Sequence, residues 1–206
     1  MYLPEQFAVT DPAEIDLVLA DLRLGCLVTR DEAGFFATHI PMLFDPVKRV
    51  LTGHLSRANP HPKRSGDRAA IAIFQGLDAY VTPNWYPSKR QHGKTVPTWN
   101  YQAVHLEGTV SWHEDKDWLR GHLGQLTHRH EGNRAEPWKL TDAPEDYIAK
   151  QIGGIIGMEL AVRSVEIKRK FSQNRTEEDR QGVIDGLRRE DDPAARQMAD
   201  LMERKL

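Results

Sequence analysis

Six short β-type runs with short connections restrict this chain more than any other feature. Residues 26–30 (CLVTR), 35–42 (FFATHIPM), 49–54 (RVLTGH), 69–75 (AAIAIFQ), 79–82 (AYVT) and 98–111 (TWNYQAVHLEGTVS) read as strands. In the last run Val104, Leu106 and Val110 alternate with His105, Glu107 and Ser111, the period of a strand with one buried face. Turn residues punctuate the series at Asp31-Glu32-Ala33-Gly34, at Asp45-Pro46 and at Gly76-Leu77-Asp78. Pro41 places the end of the second run, or a sheet edge, nearby. A further strand is expected over 156–165. Runs so closely connected favour a small barrel over a parallel sheet.

Helices fill the remainder. Asp11-Pro12-Ala13-Glu14 opens one with a capping residue, a proline at its first position and an acid in its first turn. Ile15, Val18, Leu19 and Leu22 form its apolar stripe. Residues 115–130 place Trp118, Leu119, His122, Leu123 and Leu126 on one side of a helix, and 144–152 form a short one. Thr176 and Asp192 cap two more, the first with Glu177, Glu178 and Asp179 facing the positive end of its dipole. The expected organisation is a barrel domain over 1–175 and a helical C-terminal extension over 176–206.

Composition excludes several function classes. The 28 basic and 30 acidic residues give a net charge of −2, without the basic excess of a nucleic-acid-binding domain. The single cysteine, Cys26, permits no intrachain disulfide and sits in an apolar run as a small buried residue. No run of about 18 apolar residues exists to span a membrane, and MYLPEQF does not resemble a secretion signal. A cytoplasmic protein is expected. His54 with His61, and His128-Arg129-His130 with Glu131, bring potential ligands close in sequence, but no zinc spacing occurs and no metal is expected. Serine-hydrolase elbows, P-loops and dinucleotide fingerprints are absent from the sequence. No catalytic residue stands out.

Chemistry concentrates in two stretches. Residues 80–108 hold two Pro-Trp-Tyr segments, TPNWY and VPTWNY, flanking a polar arm at 87–94 (PSKRQHGK) that reads as a mobile loop. Aromatics beside hydroxyls, Asn100 and cations suit a flat anionic small molecule, and equally an ordinary hairpin core. EIKRKFSQNR, from 166, gathers Lys168, Arg169, Lys170 and Arg175 after a strand, with Lys168 and Lys170 on one face. That group can hold a phosphate, or form a solvated basic edge.

MYLPEQF, ATHIPM (37–42), GHLSRANPH (53–61), AIFQGLDAYVTPNWY (72–86), VPTWNYQAVHLEG (96–108) and KRKFSQNR (168–175) together resemble the PaiB-type FMN-binding negative transcriptional regulators. The resemblance runs from residue 1 to about residue 190. It implies an α+β, mainly β, split β-barrel of the FMN-binding, pyridoxamine-phosphate-oxidase-like type, and a homodimer. It places His39, His54, Arg57 and Asn59 near the cofactor, together with Thr82, Trp85, Tyr86, Thr98, Trp99, Asn100, Lys170 and Gln173. Phe171, Pro62 and Leu77 depart from the family pattern and bear on local loop shape. FMN is the implied cofactor, and DNA a partner with little support from charge. The competing reading is a flavin-dependent oxidoreductase, with haem binding through His39 or His54 as a third.

Overall fold

The computed structural model describes residues 1–66 and 68–204. Six strands, β1 (Leu24–Asp31), β2 (Gly34–Asp45), β3 (Val50–Ser56), β4 (Ala69–Val81), β5 (Thr98–His113) and β6 (Ile155–Lys170), pair in the order β1-β2-β3-β6-β5-β4 and close on themselves. β1 pairs antiparallel with β2 and β4, and β3 with β2 and β6. Among the described residues, six α-helices accompany them: α1 (Pro12–Ala20), α2 (Ser88–His92), α3 (Lys116–Glu131), α4 (Glu145–Gly153), α5 (Glu177–Arg189) and α6 (Pro193–Glu203).

The chain divides into two compact units. One holds Pro12–Phe74 and His105–Val165; it is called the barrel unit below. The other holds Met1–Asp11, Gln75–Val104 and the chain from Glu166 through α6; it is called the helical unit. β4, β5 and β6 contribute one segment to each. In the barrel unit, Leu27, Met42, Leu51, Ala72, Leu106, Val110, Met158 and Leu160 are fully buried, as alternation requires of inward positions. In the helical unit, Val183, Ile184 and Leu187 of α5 and Ala195, Met198, Ala199 and Met202 of α6 pack with Ala79, Val81, Tyr86 and Phe171.

Three local expectations are corrected. Residues 69–75 and 79–82 are one strand, and Gly76-Leu77-Asp78 makes no turn. A Cβ on Gly76 would stand 3.0 Å from the side chain of Gln102, so the glycine admits a close neighbour instead. Pro41 does not end β2, which runs to Asp45. It lies where β2 changes partner, since residues 34–41 pair with β1 and residues 42–45 with β3, so the missing N–H falls at the handover. The arm at 87–94 contains α2, with Gly93 at φ 69° closing it and donating to the Lys89 carbonyl. Asp179 of α5 holds its start, accepting from the Ser88 amide (3.0 Å) and hydroxyl (2.7 Å).

Candidate functional site

In the barrel unit, two histidine centres organise the polar residues. His61 is fully buried, and each ring nitrogen meets a threonine hydroxyl. Nε2 lies 2.9 Å from Thr29 Oγ1 and Nδ1 lies 2.7 Å from Thr38 Oγ1. Thr29 donates its own proton to the Arg64 carbonyl, so it accepts from Nε2–H, and Thr38 donates to Nδ1. The imidazole is therefore neutral and fixed in one tautomer. Burial, then the nearby Arg64 charge, pushes its pKa down to about 4. Asn59 accepts from the His61 amide and reaches Thr38 with its own NH2 (3.4 Å), which places it in the same network.

The second centre joins β3 to α3. His54 Nδ1 lies 3.1 Å from His122 Nε2, and His122 Nδ1 lies 3.2 Å from Thr52 Oγ1. Trp118 stacks on His122 (5.5 Å between centroids) and on His113 (4.3 Å). A Cβ at Gly157 would stand 2.2 Å from the Trp118 ring, so only glycine leaves room for it. Burial lowers the pKa of His54, and burial followed by the His54 charge brings His122 down to about 4. His54 thus pairs with His122 rather than with His61.

Of the other expected residues in this unit, His39 is exposed on β2, opposite Cys26 of β1. Arg57 is engaged on three sides: Nε donates to the Gly153 carbonyl (2.9 Å), Nη2 to the Ile155 carbonyl (3.2 Å), and Nη1 to Glu114 (2.8 Å). It braces the junction of α4 and β6. Among the described residues, no three His, Cys, Asp or Glu side chains are placed to hold a metal ion.

In the helical unit, the end of β6 and the turn after it carry the charge. Lys170 Nζ donates to the Trp99 carbonyl (2.6 Å) and to Thr98 Oγ1. Lys168, only 8% exposed, donates to the Tyr2 carbonyl (3.1 Å), with the rings of Tyr2 and Tyr101 each 5.4 Å away. Gln173 shapes the turn by accepting from the Phe171 amide and donating to the Arg169 carbonyl, each at 2.6 Å. Ser172, at φ 62°, donates to the buried Asn100 amide oxygen. The turn returns Arg175 over the Tyr86 ring, 4.9 Å from its centroid. Burial, then the charges of Lys168 and Arg175, lowers the Lys170 pKa, so the three cations crowd one another. Among the described residues, no carboxylate pairs with Lys168, Lys170 or Arg175.

The aromatic residues of this unit divide by exposure. Trp99 is 52% exposed, with Tyr80 edge-on at 5.8 Å. Trp85 lies on α5, where a Cβ on Gly186 would stand 2.2 Å from its ring. Tyr86 is 2% exposed; burial raises its pKa, and the Arg175 guanidinium beside it acts the other way. Thr82 accepts from the Asn84 amide and caps the turn leading to Trp85. Thr98, Trp99 and Lys170 are thus brought together directly, whereas Trp85, Tyr86 and Asn100 line the helical core. Lys168 and Arg175 join Lys170 although sequence singled out only their charge. His122 gave no signal beyond its place on a helix face.

A closed six-stranded barrel accompanied by helices is the architecture of a split barrel. Residues 1–164 match the family described as "Putative FMN-binding domain", and the chain belongs to that family. Over 209 residues it is 35% identical to "Protease synthase and sporulation protein PAI 2" of Bacillus subtilis (strain 168), covering 100% of this chain and 98% of that protein. Among solved structures, the flavocytochrome Anf3 from Azotobacter vinelandii superposes with a TM-score of 0.58 at 15% identity, over 80% of this chain and 69% of that one. The FAD and heme binding protein from Mycobacterium smegmatis gives 0.57 at 19% identity, over 79% and 73%. These likenesses establish the fold.

Proposed function

We propose that the protein binds FMN and acts as a homodimeric negative transcriptional regulator of the PaiB type. The observation that carries the reading is the full-length alignment to a protein named for protease synthesis and sporulation, within an FMN-binding domain family. The donor set fits the cofactor. Uncompensated cations suit its phosphate, hydroxyls such as Thr82 and Thr98 suit the ribityl chain, and Trp99 and Tyr80 offer faces to the flat ring. When bound, FMN supplies electron-transfer chemistry; the part of these residues is to hold and orient it. His39, His54 and Asn59 are proposed as further contacts. Arg57 acts through the junction it braces, and Trp85, Tyr86, Asn100 and Gln173 through the turns and core they fasten.

The homodimer reading rests on the outer face of β2, β1 and β4. Leu24 and Phe35 are 61% and 76% exposed there, and Ala37, Pro41, Cys26, Val28, Ile71 and Ile73 extend the same apolar surface. Such a patch on one sheet face is what an interface between copies requires.

The absorption spectrum of the purified protein, before and after adding FMN, tests the cofactor. Flavin bands that stay with the protein through gel filtration are expected. Free FMN eluting apart from the protein sinks the reading. The regulator half is tested by gel shift with upstream DNA across a salt series. Direct binding to the DNA backbone predicts an affinity that falls steeply with salt, and salt-independent binding contradicts it.

A further inference from the structure

In the barrel unit, the turn between α1 and β1 meets the last turn of α3 across a polar cleft of about 630 Å³. We propose that this cleft binds a small organic anion with two or more acidic groups, gripped by Arg23 and Arg129, with Asp21 as an intramolecular competitor for the same two guanidinium groups. The proposal does not depend on the flavin reading.

The volume lies within the range of about 300–1,000 Å³ usual for small-molecule sites, and a lone inorganic ion would leave most of it unfilled. Asp21 and Arg23 line it from the turn, and His128, Arg129, His130 and Asn133 from the end of α3 and the chain just beyond. Both walls stand on fixed backbone. The Asp21 amide donates to the Val18 carbonyl (3.2 Å), and the Arg23 carbonyl accepts from the Met42 amide of β2 (2.8 Å). Across the cleft, the His128 carbonyl accepts from the Gly132 amide (2.8 Å) and the Glu131 carbonyl from the Arg134 amide (2.9 Å).

Basic side chains in the last turn of a helix commonly serve its open carbonyls. Arg129 turns away from them: its Nη2 lies 3.6 Å from Asp21 Oδ1, an atom of another segment. Arg23 Nη2 donates to that same oxygen at 3.1 Å. Two permanent cations from separate segments thus converge on one carboxylate oxygen, although each guanidinium has five N–H donors. Among the described residues, no other carboxylate pairs with either arginine. Glu131, the nearest acid in sequence to Arg129, is taken by Arg134 Nε (2.9 Å) and the Trp138 amide (3.3 Å). The Asp21 side chain is 72% exposed, and ion pairs so open to water hold weakly. Asp21 therefore shows which chemistry the two arginines accept without filling their capacity. A ligand with two acidic groups gives each guanidinium a bidentate partner of its own, and the cleft leaves room for the carbon skeleton between them.

The test is isothermal titration of the full-length protein with citrate and with inorganic pyrophosphate, at an ionic strength matched with sodium chloride. Citrate offers carboxylates and pyrophosphate offers phosphoryl oxygens, so the tighter probe names the ligand class. Arg23→Gln and Arg129→Gln should each raise Kd about tenfold, the loss of one charge-assisted contact. Asp21→Asn should act in the opposite direction, lowering Kd about threefold, because it releases both arginines and removes a repelling charge. Circular dichroism checks that each variant is folded. A gain of affinity in Asp21→Asn cannot come from a damaged fold, so it supports the cleft even where an arginine variant is unstable. Binding of neither probe by the wild type overturns the proposal. So does a Kd unchanged in the variant carrying both arginine substitutions, which would place the anion on another cation cluster such as Lys168, Lys170 and Arg175. Weaker binding by Asp21→Asn would make Asp21 a part of the site rather than a competitor for it, and overturns the proposal too. FMN binding, followed by absorption, should be the same in all of these variants.

Discussion

Two glycine-to-alanine substitutions, each in the middle of a helix, should change stability in opposite directions. Alanine is favoured over glycine within a helix by about 1 kcal/mol. Gly121 of α3 is exposed, and nothing lies within 4 Å of the place its Cβ would take. Gly121→Ala should therefore stabilise by close to the full 1 kcal/mol. Gly186 of α5 has the same propensity to gain, but its Cβ would stand 2.2–2.5 Å from three atoms of the Trp85 ring. Ordinary contact begins near 3.4 Å, so the ring must withdraw by about 1 Å. Its backbone cannot readily follow, because the Trp85 carbonyl is already 2.1 Å from the Cβ position of Gly182, one turn earlier. Overpacking of this kind costs about 1–3 kcal/mol. Set against the propensity gain, Gly186→Ala should lose up to about 2 kcal/mol. Urea denaturation followed by circular dichroism measures both. In a Trp85→Leu background the penalty at 186 should largely vanish, a coupling expected of residues in contact. Gly186→Ala at or above wild-type stability, with Gly121→Ala behaving as stated, would refute the account of α5 as the seat of Trp85.

Acid should weaken the fold through its buried histidines. His61 and His122 titrate near 4 in the folded protein and near 6.5 when exposed, so between those values the unfolded chain binds more protons. Stability is then complete above about pH 6.5 and falls toward pH 4, by up to about 1.4 kcal/mol per pH unit for each histidine. Denaturation between pH 5 and 7.5 should give that slope, and His122→Gln should flatten it by about one proton; an unchanged slope would exclude His122. Leu24→Glu with Phe35→Glu places charge on the exposed sheet face and should convert the proposed dimer to monomer in sedimentation, with little loss of fold; a sedimentation coefficient identical to the wild type's would remove that face from the proposed interface.

Local features were the most legible in the sequence. Thr176 and Asp192 cap α5 and α6 through side-chain oxygens that accept backbone amides, as their positions before helical patterns indicate. Strand alternation in 98–111 marked β5, because a period of two survives any tertiary arrangement. Long-range contacts were not legible. His54 and His122 are 68 residues apart, and nothing near either announces the other. Trp85 looked like a ligand contact because motif spacing records where an aromatic occurs, not which surface covers it. Gly76 was misread as a turn, since glycine marks both sharp turns and strands closely approached by a neighbour. Lys168 and Arg175 were visible as charge, but their approach to Lys170 belongs to three dimensions.

The arrangement around His61 has a spectroscopic consequence. Its Nε2–H is enclosed between β1 and the chain leading to Arg64, donating to Thr29 and shielded from solvent. Such a proton exchanges with water only when the surroundings open, and a hydrogen-bonded imidazole proton resonates far downfield of the backbone amides. One resolved signal would then time the opening of the barrel unit directly, without a label and without any substitution.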